Sequence, residues 1–158
     1  MQAFSTDVSR MIVARFGPDE DIFESLRLLC QKMDVESGCI STMIGSLQCA
    51  TLVCVTEDFP GGQARYLDPV QMAGPLEFIG AQGIIGRNED GEIDIHLHGA
   101  VAGEDMHAVA GHFAPSGNNR VLATVEVVIS VFSDVQMLRS YDEETGFNLF
   151  KVTEKKRE

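Results

Sequence analysis

From Ile93 to Val101 the chain alternates, with Ile93, Ile95, Leu97 and Val101 apolar at odd positions and Asp94, His96 and His98 polar at even ones. A two-residue period is that of a strand buried on one face, so His96 and His98 are predicted to share the other face. His107 to Ala114 alternates more weakly. There Val109 and Phe113 are the large odd-numbered residues and His112 stands among Ala108, Ala110 and Ala114. Gly103, Glu104 and Asp105 supply turn chemistry between the two segments, and an antiparallel hairpin is the simplest connection.

The same patterning predicts the remaining elements. Arg10–Phe16 reads as a strand, and Gly17-Pro18-Asp19-Glu20-Asp21 then opens a helix with Pro in its first turn and three acids at its positive end. Ile22, Phe23, Leu26, Leu29, Cys30 and Met33 recur at helical spacing, and Ser37-Gly38 is the expected end. Two strands, Cys39–Ile44 and Leu47–Thr56, are expected on either side of a break at Gly45-Ser46. A turn at Phe59-Pro60-Gly61-Gly62 and a strand over Ala64–Leu67 come next. Pro75–Arg87 is a strand carrying Gly80, Gly83 and Gly86. Their spacing fits neither the dinucleotide nor the P-loop pattern, so these glycines are expected to ease a bend or admit a neighbouring backbone. Asn88–Gly91 turns into the histidine strand. After a loop over Pro115–Asn119, Val121–Phe132 is apolar on both faces like a central strand, interrupted by Glu126, for which a partner is expected. Leu138–Val152 holds two short strands around an Asp142–Gly146 turn.

The length of 158 residues suits one domain, 1–158, with a core over roughly 10–152. A hydrophobic share of 44% without an apolar run near eighteen residues predicts a soluble globular chain that does not enter a membrane. The start lacks a basic region followed by an apolar block, so the cytoplasm is the expected location. Cys30, Cys39, Cys49 and Cys54 sit in apolar segments without C-x-x-C spacing and are expected to be reduced, buried thiols. Twelve basic against twenty-four acidic residues give a net charge of −12, which repels a phosphate backbone and disfavours direct contact with nucleic acid. The one basic cluster, the terminal KVTEKKRE, is expected to be a solvated end.

Candidate chemistry concentrates in the histidine hairpin. If Val101 faces His107, paired residue numbers sum to 208 and His96 lies opposite His112. A sum of 210 places His98 opposite His112 instead, still on the same face, whereas an odd sum would put the apolar residues of the two strands on opposite faces. Cross-strand Cβ atoms lie roughly 4.5–5.5 Å apart and same-face neighbours near 7 Å, so three imidazoles can meet one point. Such a group suits zinc or another late first-row divalent metal and leaves a coordination position open. Without a metal the same residues are half-exposed sheet histidines. Asp94 is either an accessory group or solvated, and His107, of opposite parity, is expected to lie outside the group. Glu126 and Glu77 are the candidate bases should the open position activate water; for Glu77 a salt bridge to Arg65 or Arg87 is an equal alternative. Neither a G-x-S-x-G nor another serine or cysteine nucleophile motif is found.

In order, the stretches RFGPDEDI, SGCISTMIGSLQCATL, GPLEFIGAQGIIG, IDIHLHGAVAGEDMHAVAGH, TVEVVI and YDEETG resemble the plants-and-prokaryotes conserved (PPC) domain family, in its stand-alone prokaryotic type. Ala110-Gly111-His112 stands where the family usually has Gly-Gly-His. The resemblance implies an α+β fold, a mostly antiparallel sheet with a packed helix, assembling as a homotrimer. It also implies a metal site at His96, His98 and His112, and an acid is common in the family at the position of Glu77. Stand-alone members usually carry a provisional DNA-binding or regulatory label, but the R-G-R-P core of an AT-hook is absent here. An assembly module that holds a metal and a small anionic ligand is therefore the expected function, with a metal-dependent enzyme as the alternative.

Overall fold

A computed structural model describes residues 1–59 and 61–155. Within them the chain runs β1 (Val8–Phe16), α1 (Ile22–Lys32), β2 (Gly38–Val53), β3 (Val55–Glu57), β4 (Ala64–Tyr66), β5 (Val70–Asn88), β6 (Ile93–Ala102), β7 (Ala108–Phe113), β8 (Val121–Phe132), β9 (Val135–Asp142) and β10 (Phe147–Glu154). Eight strands form one sheet in the order β1-β8-β2-β7-β6-β5-β9-β10, and β3 and β4 form a separate ribbon. Every pairing is antiparallel except β5 with β9. Because β2 also pairs with β5, the strands β2, β7, β6 and β5 close a ring of pairings, and β7 joins β2 through Leu52↔Phe113 and Val53↔His112. That closure fixes where His112 sits.

The odd-numbered residues of β6 enter the core as the alternation requires, with Ile95, Leu97 and Val101 buried beside Phe78, Ile85 and Phe113. Ile22, Phe23, Leu26 and Cys30 bury the inner stripe of α1, which packs against β6. Full burial of each such Leu, Ile or Phe contributes about 1.5–3 kcal/mol. Asp21 caps the helix, its Oδ1 accepting from the backbone N–H of Phe23 at 3.0 Å and of Glu24 at 3.2 Å. Its Oδ2 accepts from Asn119 N at 3.1 Å, and the buried Asn119 side chain in turn accepts from Thr51 N at 2.9 Å and donates to Ala114 O at 2.8 Å. One carboxylate thus ties the start of the helix to the loop that follows β7.

Several expectations are corrected. Pro18 lies in a turn before the helix, which starts at Ile22, and the helix ends at Lys32 rather than Ser37-Gly38. Asp34, at φ 49, has already left the helical path, and Gly38 opens β2. Gly45-Ser46 does not break β2. Gly45 at φ 153 accompanies a register shift against β8, and a side chain there would collide with the backbone of Thr124 and Val125. Of the turn expected at Phe59–Gly62, Gly62 N donates to Phe59 O at 2.7 Å, while Pro60 lies outside the described residues, as do 156–158 of the basic tail. β8 is apolar on both faces in composition only, since Val125, Val127 and Ile129 are buried but Leu122 and Glu126 face outward. Of the four cysteines, all free, Cys30 is buried and Cys54 is exposed. No helix among the described residues is long and apolar enough to cross a membrane.

Candidate metal centre

β6 and β7 pair with His98 opposite His112 and Val101 opposite Val109, so residue numbers sum to 210. The sidedness reasoning holds, and of the two even sums it left open the strands take 210. A two-residue slip leaves every side chain on its face, so the hydrophobic pattern cannot resolve it. His96 is consequently the diagonal neighbour of His112 and not its direct partner.

The three rings still converge. His98 Nε2 lies 2.9 Å from His96 Nε2 and 3.2 Å from His112 Nδ1. One ligand atom from each residue falls within 4.8 Å of the other two. Burial pushes the His96 imidazole down to about 4, with the Arg139 charge adding to it, and burial pushes His112 down to about 4 as well, helped by His96 and His98. At neutral pH both rings are uncharged. A neutral imidazole carries one N–H and one lone pair, so three ring nitrogens turned toward one another present donors that a single cation satisfies well. The donor set fits a divalent late first-row metal, and three protein ligands leave room for a further one.

The surroundings come from segments distant in sequence. Asp94 precedes His96 on the same face of β6. Its Oδ1 accepts from Ile95 N at 2.7 Å and from Arg139 Nη1 at 3.3 Å, so it holds an arginine and stands outside the ligand group. The Tyr66 ring, from β4, lies 5.3 Å from His112 and 5.0 Å from Phe147 at the start of β10. Arg139 lies over the Phe150 ring at 5.6 Å. On another side, His98 borders a shallow groove of about 530 Å³ lined by Ile44, Ile79, Gln82 and the small residues Gly99, Ala100 and Ala110. Tyr66, Phe147, Phe150 and Arg139 escaped the sequence reading, since no local spacing ties them to the histidine hairpin.

Other candidates lie elsewhere. His107 is exposed in the turn, 3.2 Å from Asp105. Glu126 lies on the outward face of β8, opposite Arg15 of β1 and Ile44 of β2 in the strand register, and accepts from Thr124 Oγ1 at 3.0 Å. Glu77 is exposed on β5, opposite Ser46 and Ala102. With Gln82 the partner of His98, Glu77 is roughly 15 Å further along the strand. Arg65 and Arg87 are engaged by Asp58 and Glu36 instead.

The model of the Plants and Prokaryotes Conserved domain matches residues 4–133, more than half of the chain. The chain belongs to this family. Among solved structures, this family member is similar to a metal-containing protein of Archaeoglobus fulgidus, with 20% identity over 96% of this chain and 99% of that one and a TM-score of 0.81. A plant- and prokaryote-conserved protein of Pyrococcus horikoshii has 18% identity over 96% of this chain and 97% of that one, at a TM-score of 0.79. A Bacteroides thetaiotaomicron protein with a provisional DNA-binding name has 22% identity over 93% and 96%, at a TM-score of 0.73. At these identities the likeness shows the fold alone. No curated protein matches.

Proposed function

We propose that this PPC-domain protein is a self-assembling metal-binding module. In this reading it is a cytoplasmic homotrimer in which His96, His98 and His112 of each chain hold one divalent cation, zinc by ligand preference, and a small anionic ligand takes the remaining position. The convergence of three ring nitrogens within 4.8 Å carries the proposal. The metal-containing character of the archaeal structural neighbour supports it. Free cysteines are consistent with a reducing compartment.

Self-association is supported by the outward face of the sheet. Met11, Val13, Ile44, Ile79 and Leu122 on β1, β2, β5 and β8 are 40–76% exposed, with Val128 beside Val13. Apolar sheet surface of this kind is covered when copies of a chain assemble. Direct DNA binding is not part of the proposal, because the net charge is −12 and an AT-hook core is absent. Nor is catalysis, since Glu77 and Glu126 both stand away from the histidines.

Metal content by mass spectrometry on tag-free protein purified without chelator tests the proposal. About one metal per chain is expected in the parent, and none in the variant with His96, His98 and His112 all changed to Ala. A metal-free parent, after loading with zinc, would overturn it.

A further inference from the structure

Arg139 belongs to the β9–β10 hairpin, which begins after the family match ends at residue 133. It reaches back across the sheet to the histidine face of β6. Asp94, His96 and His98 form a row along that face, and Arg139 Nη1 is bound to Asp94 at one end of the row, 3.3 Å away. Its Nε donates to Asn148 O at 3.2 Å and its guanidinium lies over Phe150. Gly86, opposite Asp94 on β5, makes space for this arrangement, because a side chain there would collide with Phe150 and Met137. With only 13% of its side chain exposed, Arg139 is held in place before any ligand arrives. Nε and Nη1 are engaged, and Nη2 has no hydrogen-bond partner among the described residues.

We propose that Arg139 selects the anion at the metal centre, and that this anion is a small monocarboxylate held by one oxygen at the open coordination position and by the other on Nη2 of Arg139. The proposal rests on the metal-binding reading above. With Nε and Nη1 tied to Asn148 O and Asp94, the planar guanidinium holds Nη2 at a fixed place, which the flexible stem of a lysine ammonium does not reproduce. Asp94 already shares the guanidinium, so a doubly charged phosphate would meet its carboxylate at close range, whereas a monoanion meets less repulsion. Tyr66, packed on His112 and Phe147, offers an apolar wall suited to the short carbon part of such a ligand.

The test uses the full chain loaded with cobalt(II), whose visible absorption bands report changes at the metal, titrated with acetate and separately with phosphate. In the parent, acetate should change the bands saturably and bind more tightly than phosphate. Arg139→Lys and Arg139→Met should each keep the cobalt stoichiometry and weaken acetate at least tenfold. Arg139→Lys retains the charge that balances Asp94, so it guards against a folding defect in Arg139→Met, and circular dichroism checks both. Acetate affinity within twofold of the parent in Arg139→Lys and Arg139→Met, or tighter binding of phosphate, would overturn the assignment while leaving the metal centre intact. A parent that takes up no cobalt would remove the metal reading and this inference with it.

Discussion

His98 is the hinge of the histidine group, because its Nε2 is the atom that both other rings approach. Replacing it with Ala separates metal binding from folding, since the side chain is exposed and surface substitutions usually change stability by only about 0.5 kcal/mol. Any ligand that binds the folded chain alone stabilises it by RT ln(1 + [L]/Kd). At free zinc one hundred times the measured Kd of the parent, that is about 2.7 kcal/mol. For a domain of this size, each kcal/mol moves the melting midpoint by about 2–4 °C, so the parent should gain roughly 5–11 °C. Loss of an outer-sphere contact to a metal site costs about 10–100-fold in affinity, and loss of a direct ligand costs at least the upper figure. In His98→Ala the same zinc concentration then supplies no more than about 0.4 kcal/mol, a shift of roughly 1–2 °C. Differential scanning fluorimetry with and without zinc, at one fixed chain concentration, measures both shifts. His107→Ala is the control and should keep the full zinc response, because that residue lies in the exposed turn beside Asp105. An undiminished shift in His98→Ala, or a lost one in His107→Ala, would refute the assignment.

Val13 is 76% exposed on the outward face, so if the proposed trimer closes over that face the parent should scatter light as three chains and Val13→Lys as one, with the circular dichroism spectrum retained; a monomeric parent would contradict the assembly proposal, and an undiminished mass in the variant would contradict this interface. Burial pushes the Cys30 thiol from 9.0 up to about 11. Above pH 9 the unfolded chain releases this proton while the folded one keeps it, so stability falls as pH rises, by about 2 kcal/mol at pH 11. Urea titrations at pH 8 and 10.5 should therefore show a steeper loss in the parent than in Cys30→Ala, and equal slopes would contradict the buried thiol. A DNA duplex at low salt should remain unshifted in a gel, given a net charge of −12, and a salt-sensitive shift would show a local basic surface that the charge balance hides.

The histidine face was legible in the sequence because one-sided burial writes a two-residue period, which fixes the parity of His96, His98 and His112. The register was not, since the 208 and 210 pairings bury the same residues and the turn from Gly103 to His107 chooses between them. The helix start was misread from Pro18, although Asp21 followed three residues later by Glu24 carries a cap signature that locates it. β2 was divided at Gly45 because glycine marks a bulge as readily as a break. Arg139 and Tyr66 reach the site only through pairing of distant strands, β9 with β5 and the β3–β4 ribbon beside β7, and nothing near them in sequence announces it.

Anomalous diffraction from crystals grown with zinc tests the central claim most directly. The account predicts one peak per chain about 2.0–2.1 Å from a ring nitrogen of each of His96, His98 and His112. Peaks confined to His107 or to the acidic surface, with nothing between the three rings, would contradict it.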